Sequence, residues 1–253
     1  MLVLRGMARI LLCIMVALAS AGCELYAGTP PERRFERMLN VSGPVNLEIH
    51  TRSGGIRVNT GPANTVRVVG RVRARGWFED DDRQATDIAG RPPVYQEGNT
   101  IRVGDSADNL IPQRVSIGYE VTVPDTARIN AVTGSGGIRI EDTRGDVQAS
   151  AGSGGIRLSG VRGAVVARVG SGGIRIDGTP RAAWILRTGS GGIRVNVDND
   201  APFTLDAQVR SGGIHSGQPV AATVSTRNRL QGTVRGGGAL VQAETGSGGI
   251  SID

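Results

Sequence analysis

Residues 169–176 are Val-Gly-Ser-Gly-Gly-Ile-Arg-Ile, and the tetrapeptide at their centre, Ser-Gly-Gly-Ile, occurs seven times in the chain. From the second copy onward, the copies begin 18, 18, 19, 21 and 36 residues apart. A period near 20 residues is the sequence signature of a solenoid, in which each repeat stacks on its neighbours. The last spacing is twice 18 and predicts a degenerate coil near Leu230. The copies begin at Ser53, Ser135, Ser153, Ser171, Ser190, Ser211 and Ser247.

Each copy lies between two short segments that alternate apolar and polar residues. After the glycine pair, the Ile-Arg-Ile of residues 174–176 has the period of two that places isoleucine inside and arginine outside a β-strand. Before the serine, Val165, Ala167 and Val169 alternate with polar or outward residues in the same way. We therefore expect each unit of about 18 residues to supply two strands and two corners, stacked about 4.8 Å from the next unit.

The glycine pairs are interpreted as corners of the coils. A corner needs a positive backbone φ, which glycine adopts without the clash that a side chain would cause. The serine before each pair recurs too often to be a nucleophile and is interpreted as part of a stacked hydroxyl ladder. The corner residues predicted to be structural are Gly136, Gly137, Gly154, Gly155, Gly172, Gly173, Gly191 and Gly192.

The composition excludes several classes of protein. With 39 glycines in 253 residues and 3% aromatic residues, the chain is too poor in large apolar side chains for a conventional globular core. The glycines follow no Gly-X-Y period, so a collagen triple helix is excluded. We predict an all-β solenoid, more irregular in its N-terminal part, with no substantial helix after the signal peptide. Residues 77–98 are expected to form an excursion loop.

The N-terminus is typical of an export signal. Two arginines precede an apolar run, residues 10–18, that is too short to cross a bilayer as a helix. Small residues then lead to Cys23, as in a bacterial lipobox, which predicts that Cys23 receives lipid. Ser20 stands where the lipobox pattern prefers leucine. Residues 19–21 also fit ordinary signal-peptide cleavage after Ala21.

This interpretation divides the chain into a signal peptide (1–22), a lipidated cysteine with a tether (23–40) and a solenoid domain (41–253). Glu24 follows the cysteine, which favours outer-membrane sorting, since retention in the inner membrane usually requires aspartate there. Ordinary cleavage would instead give a secreted or periplasmic protein. In either case we expect the protein to work outside the cytoplasm, and a lipid anchor would make the envelope membrane its first partner.

Several short sequence segments follow one another in a definite order along the chain. Gly-Ile-Arg-Val at residues 55–58 leads into a valine-rich strand and an acidic segment, then Gly-Asn-Thr-Ile-Arg-Val at 98–103 and Val-Pro-Asp-Thr-Ala-Arg-Ile at 123–129, and finally the tandem repeats. This order resembles the bacterial putative-adhesin family, a domain of unknown function related to the heads of autotransporter-like adhesins. The resemblance covers about residues 41–253. It implies a β-solenoid on the cell envelope, sometimes attached to envelope-stress systems, and it supplies no catalytic residues.

The chain offers no recognisable catalytic or metal-binding constellation. Its two histidines, His50 and His215, have no cysteine or histidine at metal-ligand spacing. The acidic run at residues 79–82 lacks an accompanying calcium motif and is interpreted as a solvated loop. The Arg-Gly-Asp tripeptide at residues 144–146 is interpreted as a turn. We predict that the protein is not an enzyme and uses no cofactor or metal.

The outward arginines are the candidate binding residues. All 29 basic residues of the chain are arginine. One interpretation is a solubilising surface that discourages aggregation of strand edges. The other is an electrostatic surface for anionic glycans, lipopolysaccharide or other envelope polyanions. Nucleic acid is not expected as a partner, because few aromatic side chains are available to stack on bases. The candidates are Arg139, Arg157, Arg175 and Arg194 on one face, with Arg168 and Arg187 on the opposite sheet.

These observations predict a non-enzymatic, envelope-anchored, adhesin-like binding module that contacts anionic polymers through its arginine faces. The alternative is a structural or regulatory envelope scaffold whose partner is another protein. For that alternative, the chain end at residues 251–253 is expected to leave an open strand edge for pairing.

Overall fold

The structure, a computed structural model, describes residues 32–74, 79–104, 111, 112 and 114–253. The predicted signal peptide, Cys23 and the first part of the predicted tether lie outside the described residues. In chain order, the elements are β1 (Glu32–Asn40), β2 (Asn46–Ser53), β3 (Ile56–Gly61), β4 (Thr65–Ala74), α1 (Glu79–Gly90), β5 (Val94–Glu97), β6 (Thr100–Gly104), β7 (Val115–Pro124), β8 (Arg128–Ser135), β9 (Ile138–Glu141), β10 (Val147–Ser153), β11 (Ile156–Val161), β12 (Val165–Ser171), β13 (Ile174–Gly178), β14 (Trp184–Ser190), β15 (Ile193–Val197), β16 (Phe203–Ser211), β17 (Ile214–Ser216), β18 (Ala221–Ser225), β19 (Arg229–Val234), β20 (Ala239–Ser247) and β21 (Ile250–Ile252).

The strands form two sheets, and each regular coil contributes one strand to each of them. Sheet A has the spatial order β1-β4-β7-β3-β9-β11-β13-β15-β21-β17, and sheet B has the order β18-β19-β16-β20-β14-β12-β10-β8-β2-β6-β5. Neighbouring coils pair in parallel and in register, so that Ile156 lies beside Ile138 on one side and Ile174 on the other. The predicted all-β solenoid is confirmed, including its more irregular N-terminal part, where antiparallel pairs replace the parallel ladder.

The core is a narrow strip of aliphatic side chains between the two sheets. Along β12, the burial pattern alternates between buried and accessible residues, as the period of two in the sequence predicts. Each coil adds inward residues from both strands, for example Val165 and Ala167 from sheet B and Ile174 and Ile176 from sheet A. Trp184 fills one large site at 0% exposure, and its indole N–H donates to the carbonyl of Gly163 at 3.2 Å. The stacking of neighbouring coils therefore buries the inward apolar side chains of each coil.

The last coils do not stack in chain order, so the predicted arrangement of the C-terminal part is wrong. The coil of β20 and β21 lies between the coil of β14 and β15 and the coil of β16 and β17. The region near Leu230 is not a degenerate coil. It forms β18 and β19, which pair antiparallel beyond β16 and cover that end of sheet B. The chain end is consequently an interior strand, and the outermost strand of sheet A at this end is β17.

The N-terminal part differs from the sequence-based expectation in two places. The tether predicted for residues 23–40 is too long, because Glu32–Asn40 is strand β1, paired antiparallel with β4 along its whole length. The excursion within residues 77–98 contains the 12-residue helix α1. Acidic residues in its first turn suit the positive end of a helix dipole. Ala85 is fully buried, and Arg33 of β1 donates to Asp82 at 2.9 Å, so the helix is held against the sheet.

Replacing Ile174 with aspartate is expected to disrupt the stack. Ile174 is 2% exposed at the centre of the core strip, and a carboxylate there has no partner. We expect the free energy of unfolding to fall by at least about 3 kcal/mol, measured by urea unfolding followed by circular dichroism. Gln148→Asp, at an exposed outward position of β10, is the control. Equal unfolding midpoints for the two variants would refute the inward assignment.

Candidate functional site

The Ser-Gly-Gly segment of each coil forms the corner that joins a strand of sheet B to a strand of sheet A. The first glycine of every pair has a φ between 129° and 147°, a conformation that other residues rarely adopt. A Cβ at Gly154 would lie 2.1 Å from the carbonyl oxygen of Gly136 in the preceding coil. Neighbouring corners are therefore in backbone contact, and both the conformation and the space require glycine at the first position.

The second glycine of each pair is different. No φ in the left-handed region occurs at these positions. A Cβ at Gly155 would meet only the carbonyl oxygen of Gly173, at 3.5 Å, which is ordinary van der Waals contact. Gly155 and its counterparts in the other coils are exposed. A Cβ at Gly173 would meet the carbonyl oxygen of Gly192 more tightly, at 3.3 Å, but at most of the seven positions neither backbone strain nor crowding explains the glycine.

Hydrogen bonds between coils hold the corners in place. The N–H of Gly136 donates to the carbonyl of Ser153 at 3.0 Å, and the N–H of Ile138 donates to the carbonyl of Gly155 at 2.9 Å. Several corners gain a further bond from a buried threonine. Thr133 donates its hydroxyl to the carbonyl of Gly54 at 3.0 Å. Thr188 and Thr245 donate to Gly172 and Gly191 in the same way, each at 2.9 Å.

A groove of about 1540 Å³ runs along the stacked corners and is here called the corner trough. Its lining repeats from coil to coil as the second glycine, the isoleucine and the arginine of Ser-Gly-Gly-Ile-Arg. Arg71, Arg73 and Glu120 lie at one end, and Ser251 and His215 lie at the other. Because corner and strand begin at the same point in every coil, the repeat itself builds the trough.

The arginines of the repeat form a continuous row along the trough, here called the arginine column. Register pairing places all of its members on adjacent strands, and Ser251 and His215 continue the row beyond Arg194. The candidate residues predicted from the sequence did not include Arg57. Arg57 has the same motif, but the segment from β4 to β8 separates it in sequence from the regular tandem repeats. The column consists of Arg57, Arg139, Arg157, Arg175 and Arg194.

Little negative charge within the described residues offsets the arginine column. The guanidinium of Arg139 lies 3.8 Å from the carboxylate of Glu141, and that of Arg194 lies 4.0 Å from Asp253, both at the exposed surface. Arg57, Arg157 and Arg175 form no ion pair with any residue that the structure describes. Neighbouring like charges at coil spacing repel by on the order of 1 kcal/mol in water. An anion bound along the column would relieve that repulsion.

The other two candidate arginines do not belong to this site. Arg168 and Arg187 lie side by side on the outer face of sheet B and do not line the corner trough. The guanidinium of Arg187 donates to the carboxylate of Glu244 at 3.1 Å. On the other side, Arg168 is next to Ser150. The structure thus separates the six candidates into a row of four in the trough and a pair on sheet B.

The most perturbed titratable pair also lies outside the trough. The Arg67 guanidinium donates to the Glu36 carboxylate at 2.7 Å, and this hydrogen bond lowers the pKa of Glu36 and raises the pKa of Arg67. Both side chains are exposed and belong to the paired strands β1 and β4. The pair links neighbouring side chains of the edge strand β1 and of β4.

The Arg-Gly-Asp tripeptide is engaged by its surroundings. The guanidinium of Arg144 lies 2.7 Å from the carboxylate of Asp125. The carboxylate of Asp146 accepts from the N–H of Ala164 at 3.2 Å. A Cβ at Gly145 would lie 2.0 Å from the carbonyl oxygen of Ala127, so the glycine is needed for the close approach of two coils. The turn interpretation accounts for all three residues.

These features define the protein as a two-sheet parallel β-solenoid with a basic trough along one line of corners. The profile of the family described as Toastrack DUF4097 matches residues 45–253, and the chain belongs to this family of unknown function. The resemblance to the putative-adhesin family is thereby confirmed. No curated protein matches the chain.

Solved structures share the architecture at low sequence identity. A putative cell adhesion protein from Clostridium sporogenes matches with a TM-score of 0.51 and 13% identity, over 87% of this chain and 99% of that one. A putative adhesin from Bacteroides fragilis matches with a TM-score of 0.35 and 13% identity, over 88% and 99%. The first likeness supports the fold.

The residues that the structure describes contain neither a membrane-spanning helix nor a metal-binding cluster. No helix among them is long and apolar enough to cross a membrane. No group of three or more His, Cys, Asp or Glu side chains in the same part of the chain is placed to hold a metal ion.

The two glycines of a corner are expected to respond in opposite ways to alanine. Gly154→Ala places a Cβ against the backbone of the preceding coil and requires a strained φ, so we expect a loss of at least about 2 kcal/mol of stability. Gly155→Ala is expected to be neutral or slightly stabilising, because alanine restricts the unfolded chain. Chemical unfolding of both variants checks this. Equal destabilisation would show that the fold requires both glycines.

Proposed function

We propose that this protein is a non-enzymatic, adhesin-like binding module of the bacterial cell envelope that contacts anionic polymers through the arginine column. The observation that carries the proposal is the column itself. Five guanidinium groups stand in register along one trough, and three of them have no ion-pair partner among the described residues.

Arginine suits this role for physical reasons. The guanidinium is planar, always charged and weakly hydrated, and it binds carboxylate, sulfate or phosphate groups through two parallel hydrogen bonds. A row of such groups in a groove concentrates positive potential along a line. A linear polymer with many anionic groups can follow that line, and its many weak contacts act together.

The character of the trough supports binding rather than catalysis. Guanidinium groups do not exchange protons near neutral pH, so the arginine column is poorly suited to general acid–base chemistry. Glu120 and His215, a carboxylate and an imidazole that could do so, lie at opposite ends of the trough. At about 4.8 Å per coil, those ends are roughly 30 Å apart. They could not act on one reacting group.

An envelope location is part of the proposal. The N-terminal pattern supports export and attachment through a lipid on Cys23, with the outer membrane as the proposed site, and cleavage after Ala21 is the alternative. The solved structure from Clostridium sporogenes is described as a putative cell adhesion protein, which agrees with a role at the cell surface.

Charge reversal of the arginine column is expected to abolish polyanion binding while leaving the fold intact. The variant is Arg139→Glu, Arg157→Glu, Arg175→Glu and Arg194→Glu in the mature protein. Binding to polygalacturonate, dextran sulfate and neutral dextran is measured by calorimetry over a salt series. We expect salt-sensitive binding of the two polyanions by the native protein and a loss of about 100-fold or more in the variant, since each charge-assisted hydrogen bond contributes about 1.5–3 kcal/mol.

A matched control distinguishes the effect of the arginine column on binding from the effect of the protein's net charge. Reversal of four exposed arginines outside the trough gives the same net charge and is expected to weaken binding far less. Equal losses in the two variants would contradict a specific role for the column. Absence of binding at low salt would contradict the proposal and favour the scaffold alternative, tested next by crosslinking to envelope proteins. The control reversals are Arg162→Glu, Arg181→Glu, Arg210→Glu and Arg227→Glu.

A further inference from the structure

We infer that the corner trough binds a linear acidic polysaccharide along the solenoid axis through two rows of donors, the arginine column and the backbone N–H groups of the second glycines. This inference rests on the proposed function and deepens it. It adds a second set of binding groups, which are backbone groups and therefore independent of the arginine side chains, and it specifies the class of polymer.

The second-glycine N–H groups have no acceptor in the described part of the protein. In six of the seven corners, the first glycine and the isoleucine donate to the neighbouring coil, but Gly137, Gly155, Gly173 and Gly192 donate to no described residue. A buried N–H without a partner would be costly, but these residues are exposed along the trough. They are free to donate to a ligand.

The orientation of these groups follows from the planarity of the peptide bond. The carbonyl of Gly172 accepts from the buried hydroxyl of Thr188 in the adjacent coil at 2.9 Å and lies against Gly191 of that coil, so it points along the stack and toward the interior. In a trans peptide, the C=O and the following N–H point in opposite directions. The N–H of Gly173 consequently points the other way, toward the preceding coil and away from the interior, on the side of the trough. The bonds of Thr133 and Thr245 orient Gly55 and Gly192 in the same way.

Access to the backbone along the floor of the trough explains why the second residue of each pair is glycine. The fold would accept a Cβ at most of these positions, with nearest contacts of 3.3–3.6 Å from Gly55 to Gly249. Glycine is the residue that lets a ligand approach the backbone closely. Five of the seven coils thus present an exposed second-glycine N–H and, two residues later, an outward guanidinium. A carboxylate can accept from both, because it has two oxygens with free lone pairs.

The spacing of the donors selects the class of ligand. Coils repeat at about 4.8 Å, so the two rows offer one anion position per coil. An extended acidic peptide presents like-facing side chains about 6.6 Å apart, and a nucleic acid duplex has a phosphate every 3.4 Å along each strand. Both are out of step with the coils. A 1,4-linked chain of six-membered sugar rings advances by about one coil per ring, so its like-facing acidic groups, which recur on every second ring of a two-fold chain, fall in step with every second coil.

The direct test is NMR titration of the ¹⁵N-labelled mature protein with oligogalacturonate. We expect the amide signals of Gly137, Gly155, Gly173 and Gly192 to shift and to gain protection from hydrogen exchange. The amides of the first glycines, which already donate to serine carbonyls, are internal controls. If oligogalacturonate binds without moving the second-glycine amides more than the first-glycine amides, the inference is overturned while the proposed function stands. Absence of any binding would overturn both.

A variant with alanine at Gly137, Gly155, Gly173 and Gly192 tests whether the ligand requires a trough floor without side chains. Each added methyl group lies beside an N–H of the trough, and we expect affinity for polygalacturonate to fall by roughly tenfold with an unchanged unfolding midpoint. Gly90→Ala, at an exposed glycine with open space on α1, is the control. Unchanged affinity would overturn the inference, and the titration still decides it if the variant does not fold.

Competition with other polyanions tests the choice of polymer. We expect polygalacturonate to bind at least about tenfold more tightly than polyglutamate or duplex DNA of similar length at equal salt. Equal affinities would overturn the polysaccharide assignment and would reduce the trough to a general polyanion surface.

Discussion

Backbone contact between stacked corners is the constraint on which the rest of the structure depends. A Cβ at the first glycine of a corner would lie about 2 Å from a carbonyl oxygen of the adjacent coil. Glycine allows that approach, and the approach sets the distance between coils. Parallel pairing then follows in both sheets, and each coil buries its aliphatic strip against the next. The chain has few large apolar side chains, and it buries enough apolar surface because successive coils have nearly the same shape and stack closely.

The same constraint aligns the functional groups. Because every strand of the regular sheet A ladder begins at an equivalent isoleucine, the following residue always faces outward at the same height. Arginine at that position in successive coils produces a row of cations that no single coil could present. In three corners a buried threonine also holds the carbonyl of the first glycine, and the N–H that follows it belongs to the proposed second row of donors. The packing of the coils and the proposed binding surface thus arise from the same local geometry.

The C-terminal part shows how stacking can depart from chain order. The final coil lies between two coils that are consecutive in sequence, and β18 and β19 cover the end of sheet B. A coil at the chain end has identical corners to its neighbours, so the ladder accepts it at any level where its strands find partners on both sides. This places Ser251 between Arg194 and His215, whereas a sequential stack would place His215 directly beside Arg194.

The sequence by itself determined the local features: the period, the inward and outward positions, the corners and the outward arginines. These follow from the two-residue alternation of strands and the special backbone freedom of glycine, which act within a few residues. Only the tertiary structure decided that Arg57 joins the column, that Arg168 and Arg187 lie elsewhere, and that Glu32–Asn40 is an edge strand rather than a tether. It also decided the helix α1, which Ala85 and Asp82 hold against the sheet. These outcomes depend on pairing between distant segments, and identical repeats leave that pairing open until the whole stack forms.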